Sequence, residues 1–98
     1  MTIENSSTMT VGSDNVFQDL GFEAEEAMNL KIRADLMIKL CDHIESQEWT
    51  RQEAAESLKE SQLTISALMN GEIEQFNVDK LIGMLGKAGK QVKVIVTL

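Results

Sequence analysis

The chain of 98 residues has no proline, no tyrosine, one cysteine and one histidine, and its aromatic side chains are three Phe and one Trp. A single Cys excludes a disulfide framework. One Cys and one His cannot furnish a Cys/His zinc site, so no metal or other cofactor is expected. So few aromatics argue against a stacking platform for single-stranded nucleic acid. No apolar run approaches the roughly 18 residues of a membrane span, and the start lacks the basic-then-apolar pattern of a signal peptide. The expected location is therefore cytoplasmic, where a lone thiol stays reduced, with no membrane partner. A Gly-rich phosphate loop and a nucleophile–base constellation are both missing, so an enzyme is not expected. Basic residues are also scarce. Nine Lys+Arg stand against sixteen Asp+Glu, a net charge of −7, which taken alone argues against nucleic acid.

What is present changes that inference. Apolar residues make up 43% of the chain, enough for the packed core of one small domain. The charge is unevenly distributed: residues 1–49 hold ten acids and three bases, whereas residues 50–98 hold six of each. The whole deficit thus sits in the N-terminal half, which suggests two surfaces with different partners. The plainer alternative is that the acids form the solvated face of a first helix. Asp42 and Glu45, three residues apart, suit such a face better than an acid–base pair.

Residues 1–14, rich in Ser, Thr and Asn, read as a tail with little order of its own. From Glu23 to about Glu48 the seam Leu30, Ala34, Met37, Cys41 and Ile44, widened by Leu36 and Leu40, predicts an amphipathic helix. Cys41 reads as a small core hydrophobe, and His43 as helix-edge packing. Thr50-Arg51-Gln52-Glu53 is a capping box, preceded by Trp49 as an apolar staple. The helix it opens must end near Lys59. Ser61 caps another short helix, with Ile65, Leu68 and Met69 inward and Gly71 as its stop. Asn77 caps a further helix, flanked by the staple pair Phe76 and Leu81 and ended by Gly89. Gly83 and Gly86 inside that helix suggest close backbone packing.

The last eight residues, 91–98, change to a period of two. Val92, Val94 and Val96 share one face, opposite Lys93, Ile95 and Thr97. No second strand of similar quality is apparent, so this strand is expected to pair with its copy across a twofold axis through Val92, Val94, Ile95 and Val96.

Two short helices joined through Lys59-Glu60-Ser61 describe a helix-turn-helix within residues 15–90, with its recognition helix at about 62–70. Ala55 supplies the small residue at the helix crossing, while Ile65 and Leu68 lock the second helix from below. Gln62, Leu63, Thr64, Ser66, Ala67 and Asn70 then face outward. Gln62 is suited to a bidentate pair with adenine and Leu63 to a thymine methyl. Arg51, Gln52 and the first amides of the second helix are placed for phosphate.

The segment TRQEAAESLKESQLTISALMNG (50–71) resembles the Xre/Cro-type helix-turn-helix family. Together with NVFQDLGF (15–22), the cap at Asn77 and the terminal strand, it looks like the HigA-like antitoxin subgroup. The resemblance covers roughly residues 14–98. It implies a mainly α, lambda-repressor-like domain of about five helices that represses its own operon as a dimer on operator DNA. It also implies a small basic toxin of the RelE/HigB kind as partner. Arg51 or Gln52, Gln62, Leu63, Thr64 and Ser66 match the family's DNA-contacting positions. Three features depart from the pattern: Lys59 stands where glycine is usual, Glu60 where an apolar residue is usual, and 62–70 carries no base.

Two functions therefore compete. One is a dimeric, sequence-specific regulator, with Lys59, Lys87, Lys90 and Lys93 lending the C-terminal half a basic side. The other is a protein-interaction module whose acids, such as Glu23, Glu25, Glu26 and Asp35, neutralise a basic partner while DNA binding is weak or lost. Val16, Phe17, Leu20 and Phe22 either close the core or meet a partner.

Overall fold

A computed structural model describes residues 6–11, 17 and 20–96, excluding the side chains of 6–11, Val94 and Val96. The elements run β1 (Ser6–Val11), α1 (Ala24–Ser46), α2 (Arg51–Leu58), α3 (Gln62–Met69), a 3-10 turn (Ile73–Gln75), α4 (Val78–Lys87) and β2 (Gln91–Val96). Four α-helices are delimited among the described residues, against the five or so expected, and Phe17 is helical as well. The expected contribution of Val16 lies outside them.

Helix α1, at 23 residues, is the long element against which the others pack. Its buried residues Leu30, Leu36, Met37, Leu40 and Ile44 belong to the expected seam, Ala27 joins them, and Ala34 and Cys41 of that seam are half-buried. Glu25 and Glu26 in its first turn complement the positive end of the helix dipole. The core joins this face to Ala54, Ala55 and Leu58 of α2, Ile65 and Leu68 of α3, Phe76, and Leu81, Met84 and Leu85 of α4.

The boundaries are set by local hydrogen bonding. Thr50 Oγ1 accepts from the Glu53 amide at 3.1 Å, and the Thr50 amide donates to Glu53 Oε1 at 2.8 Å, completing the capping box. Ser61 Oγ accepts from the Thr64 amide at 3.1 Å, and Asn77 Oδ1 from the Lys80 amide at 2.7 Å. Trp49 packs against the core, with its ring edge-on to His43 at 5.3 Å.

Two expectations fail. Residues 6–11, assigned to a loose tail, form β1 and pair in parallel with β2, in register from Ser6↔Gln91 to Val11↔Val96. The polar SSTMTV segment concealed a strand, because its β-branched residues carry the propensity while its faces lack apolar alternation. Parallel pairing requires a long crossover, which the helices between the strands supply. The C-terminal strand thus finds one partner within its own chain, removing the need for a second copy from which dimer pairing was inferred. Gly83 and Gly86 do not mark close packing either: a Cβ at each meets nothing within 4 Å.

Candidate nucleic-acid interface

Helices α2 and α3 build the helix-turn-helix from the inside outward. Ala55 is buried where they meet, and Ile65 and Leu68 hold the underside of α3 at 0% and 1% exposure. The turn between them needs a left-handed residue, a role glycine fills most easily. Lys59 takes it instead, at φ 56°, ψ 47°. The Glu60 amide then closes onto the Ala55 carbonyl at 2.8 Å. This is the usual glycine position in the resemblance, met here by strain on a lysine.

With its underside buried, α3 presents Leu63, Ser66, Ala67 and Asn70 along one stripe, at spacings of three, four and seven. Leu63 lies at its N-terminal end and is 83% exposed. Gln62 is also exposed, one turn before Ser66, whereas Ala67 is half-buried and packs against the core. Asn70 is the C-terminal cap of α3.

The hydroxyls on this helix are already engaged. Arg51 Nη1 donates to Ser66 Oγ at 2.8 Å, bringing the start of α2 onto the face of α3. Thr64 Oγ1 lies 2.9 Å from Ser61 Oγ, within the N-cap of α3. Thr64 and Ala67 also line a recess of about 130 Å³ with Leu63, Gln75, Phe76 and Lys80. The structure therefore unites Arg51 with the outward residues of α3. Gln52 is exposed on α2.

Two cations outside the expected set shape the surroundings. Lys80 Nζ reaches Glu60 Oε1 at 2.9 Å, so the acid that stands where an apolar residue is usual is paired with a base from α4. Arg33 on α1 donates from Nη1 to the carbonyls of Ile73 and Phe76, at 3.1 and 3.2 Å. It thereby fixes the 3-10 turn that follows the recognition helix. Neither contact has a sequence signal, since the partners lie 20 and 40 or more residues apart.

The remaining titratable groups have structural surroundings. Burial pushes the Cys41 thiol above its ordinary value, aided by the nearby carboxylates of Glu45 and Asp42. A thiol held protonated is a poor nucleophile. Burial, with Lys90 nearby, lowers His43 below its ordinary value. Among the described residues no group of three or more His, Cys, Asp or Glu could hold a metal ion, and no helix is long and apolar enough to cross a membrane.

Residues 16–97 match a family described as "Helix-turn-helix domain". The chain belongs to this family. Membership supports a DNA-binding regulator, with α2 and α3 as the family's defining pair. No curated protein and no solved structure matches the chain.

Proposed function

We propose that this helix-turn-helix protein is a sequence-specific transcriptional regulator that reads double-stranded operator DNA in the major groove with α3. The observation that carries this reading is the outward stripe of α3, which begins with the exposed Leu63 and has the Arg51 guanidinium bonded to Ser66 one turn on. A large apolar side chain so exposed on a recognition helix suits the thymine methyl, the apolar feature of the major groove. Gln62 supplies bidentate hydrogen bonding to adenine, and Arg51 retains further N–H groups for phosphate.

The finer reading is an antitoxin-type autorepressor acting as a dimer, supported by the resemblance of residues 14–98 to HigA-like antitoxins. The two-stranded sheet leaves the second edge of β2 open among the described residues, so β2 pairing with its copy stays geometrically available. Ile95 and Lys93 on this strand are exposed, and Val92 packs against the core. The side chains of Val94 and Val96, also assigned to that interface, lie outside the described set. Twofold pairing would set two recognition helices for successive major grooves, about 34 Å apart.

A second reading, neutralisation of a small basic toxin-like partner, is favoured by the exposed acids Glu23, Glu25 and Glu26 at the start of α1. Asp35, assigned to the same cover, pairs with Lys31 at 3.0 Å and contributes less net charge there.

The test is a gel shift on the DNA upstream of the chain's own coding sequence, comparing wild type with Leu63→Ala and Arg51→Ala. Retardation by the wild type, weakened at least tenfold in both variants, is the expected result. Failure of the wild type to retard this DNA at low salt, alone and with its neighbouring gene product, refutes the regulator reading.

A further inference from the structure

A second concavity lies away from the recognition stripe. It is a groove of about 320 Å³ between α1 and the segment from the end of α3 to the 3-10 turn. Its walls are Met37, Ile38 and Cys41 on one side and Met69 and Ile73 on the other, with Asp42 the one charged lining residue. The volume falls at the low end of the ~300–1,000 Å³ usual for ligand pockets. A polar small molecule would nevertheless find one carboxylate and no convergent set of polar groups. Ile38 stands at the lip, 57% exposed.

Around this apolar floor acids predominate, because Lys31, seven residues before Ile38, is paired with Asp35 and the Arg33 guanidinium is turned to the Ile73 and Phe76 carbonyls. Asp42 lines the groove, and Glu45 lies seven residues after Ile38, on the same side of α1. Exposed Glu72 and Glu74 flank Gly71 and Ile73 on the opposite wall. The elevated Cys41 thiol is raised in part by Glu45 and Asp42, so their field reaches the floor. An acidic rim repels nucleic acid. A second copy of this chain, with a net charge of −7 over its whole length, would bring net negative charge to an acidic face.

We infer that this groove is a docking site for an amphipathic helical segment of another protein, with apolar anchors flanked by basic residues. Leu-type anchors at helical spacing enter between Ile38, Met37 and Met69, while Lys or Arg residues on either side meet Asp42 and Glu45 across one wall and Glu72 and Glu74 across the other. The Cys41 Sγ, 3.6 Å from the Leu68 carbonyl, joins the floor of this site to the end of the recognition helix. The inference is separate from DNA binding: it concerns the face of α1 remote from Leu63, and either can fail while the other stands.

The test uses the full chain and two synthetic helical peptides with identical leucine stripes, one flanked by lysines and the other by glutamates. Fluorescence anisotropy at physiological salt should show the lysine peptide binding at least tenfold tighter than the glutamate peptide. Ile38→Asp separates docking from general attraction to an acidic protein. The added charge would tighten a diffuse association, whereas it should weaken groove binding at least tenfold. Asp42→Asn should weaken binding roughly two- to fivefold, as expected for an exposed charge pair. Cys41, the only cysteine, reports the location: bound lysine peptide should slow its alkylation by a maleimide at least fivefold in the wild type and not in Ile38→Asp. Absence of lysine-peptide binding, equal binding of both peptides, unchanged or tighter binding by Ile38→Asp, or unprotected Cys41 each overturns the inference.

Discussion

Replacing Arg33 by methionine tests whether the segment after the recognition helix is held by one guanidinium. Methionine retains much of the aliphatic stem that Arg33 lays along the protein, so the substitution removes chiefly the charged hydrogen bonds. The structure shows Nη1 shared between the Ile73 and Phe76 carbonyls, at 3.1 and 3.2 Å, and Nε bonded to Asn29 Oδ1 at 2.7 Å. A shared donor counts as one charge-assisted bond, about 1.5–3 kcal/mol. The exposed pair with Asn29, four residues away on the same helix, adds about 0.2–0.5 kcal/mol. The expected loss is therefore about 2–3 kcal/mol, a large part of the roughly 5–15 kcal/mol that holds a small domain together. For a domain of this size it corresponds to a Tm lowered by roughly 10–20 °C. Thermal and urea unfolding followed by far-UV circular dichroism measure it directly. Arg33→Lys, which keeps a donor but not the fork, should fall between the two. An Arg33→Met protein within about 0.5 kcal/mol of wild type would show that the turn is held by apolar packing around Phe76 and not by this side chain.

Three further outcomes are expected. Lys59→Gly should stabilise the fold by about 0.5–1 kcal/mol in urea unfolding, because it relieves a left-handed Cβ at φ 56°. Gly83→Ala should add about 1 kcal/mol, as a methyl at this exposed helical position meets nothing within 4 Å. Tm should also depend on pH through His43, whose folded pKa lies below its ordinary value of 6.5. Its contribution is complete above the unfolded value and is lost as pH falls from about 6.5 through the lowered folded value. The Tm difference between wild type and His43→Gln should therefore diminish over that window; a difference independent of pH would count against it.

What was legible in the sequence was local. Thr50 with Glu53, Ser61 and Asn77 announce helix starts because a cap and its amide lie three residues apart, and period alone marks the buried seam of α1. The outward set on α3 follows from the same spacing once Ile65 and Leu68 are taken as its underside. Contacts made by folding were not legible. Arg33 to the Ile73 carbonyl and Lys80 to Glu60 span 40 and 20 residues, and nothing in either neighbourhood specifies the partner. The bond from Arg51 to Ser66 lies between these cases: both positions were assigned to the interface, but not to each other. Strand β1 was missed for another reason. Its polar sequence obtains regular structure from the backbone of β2, so apolar patterning could not announce it.

The pairing of Glu60 with Lys80 makes the electrostatics of DNA binding a quantitative question. The recognition helix has no base of its own, leaving Arg51, bonded to Ser66, and Lys59 in the turn as the cations beside it for phosphate. If the protein binds as the proposed dimer and each of these cations meets one phosphate, the complex makes four contacts, and log K against log salt should have a slope of about −3.6 at about 0.9 per contact. Lys80 does not add to this while Glu60 lies 2.9 Å away with its side chain 13% exposed. Glu60→Gln keeps the shape and a hydrogen-bonding oxygen but removes the charge. It should free one ammonium per subunit and steepen the slope by about 1.8, to about −5.4. The fold should lose no more than about 1 kcal/mol, because the lysine end of the pair is half-exposed. Anisotropy titrations of wild type and Glu60→Gln on one operator fragment between 50 and 200 mM salt decide the matter. Parallel lines would mean that Lys80 never approaches the backbone and that α4 stands clear of the DNA. A steeper line for the variant would mean that the acid departing from the family pattern holds down the affinity of a surface otherwise built for phosphate.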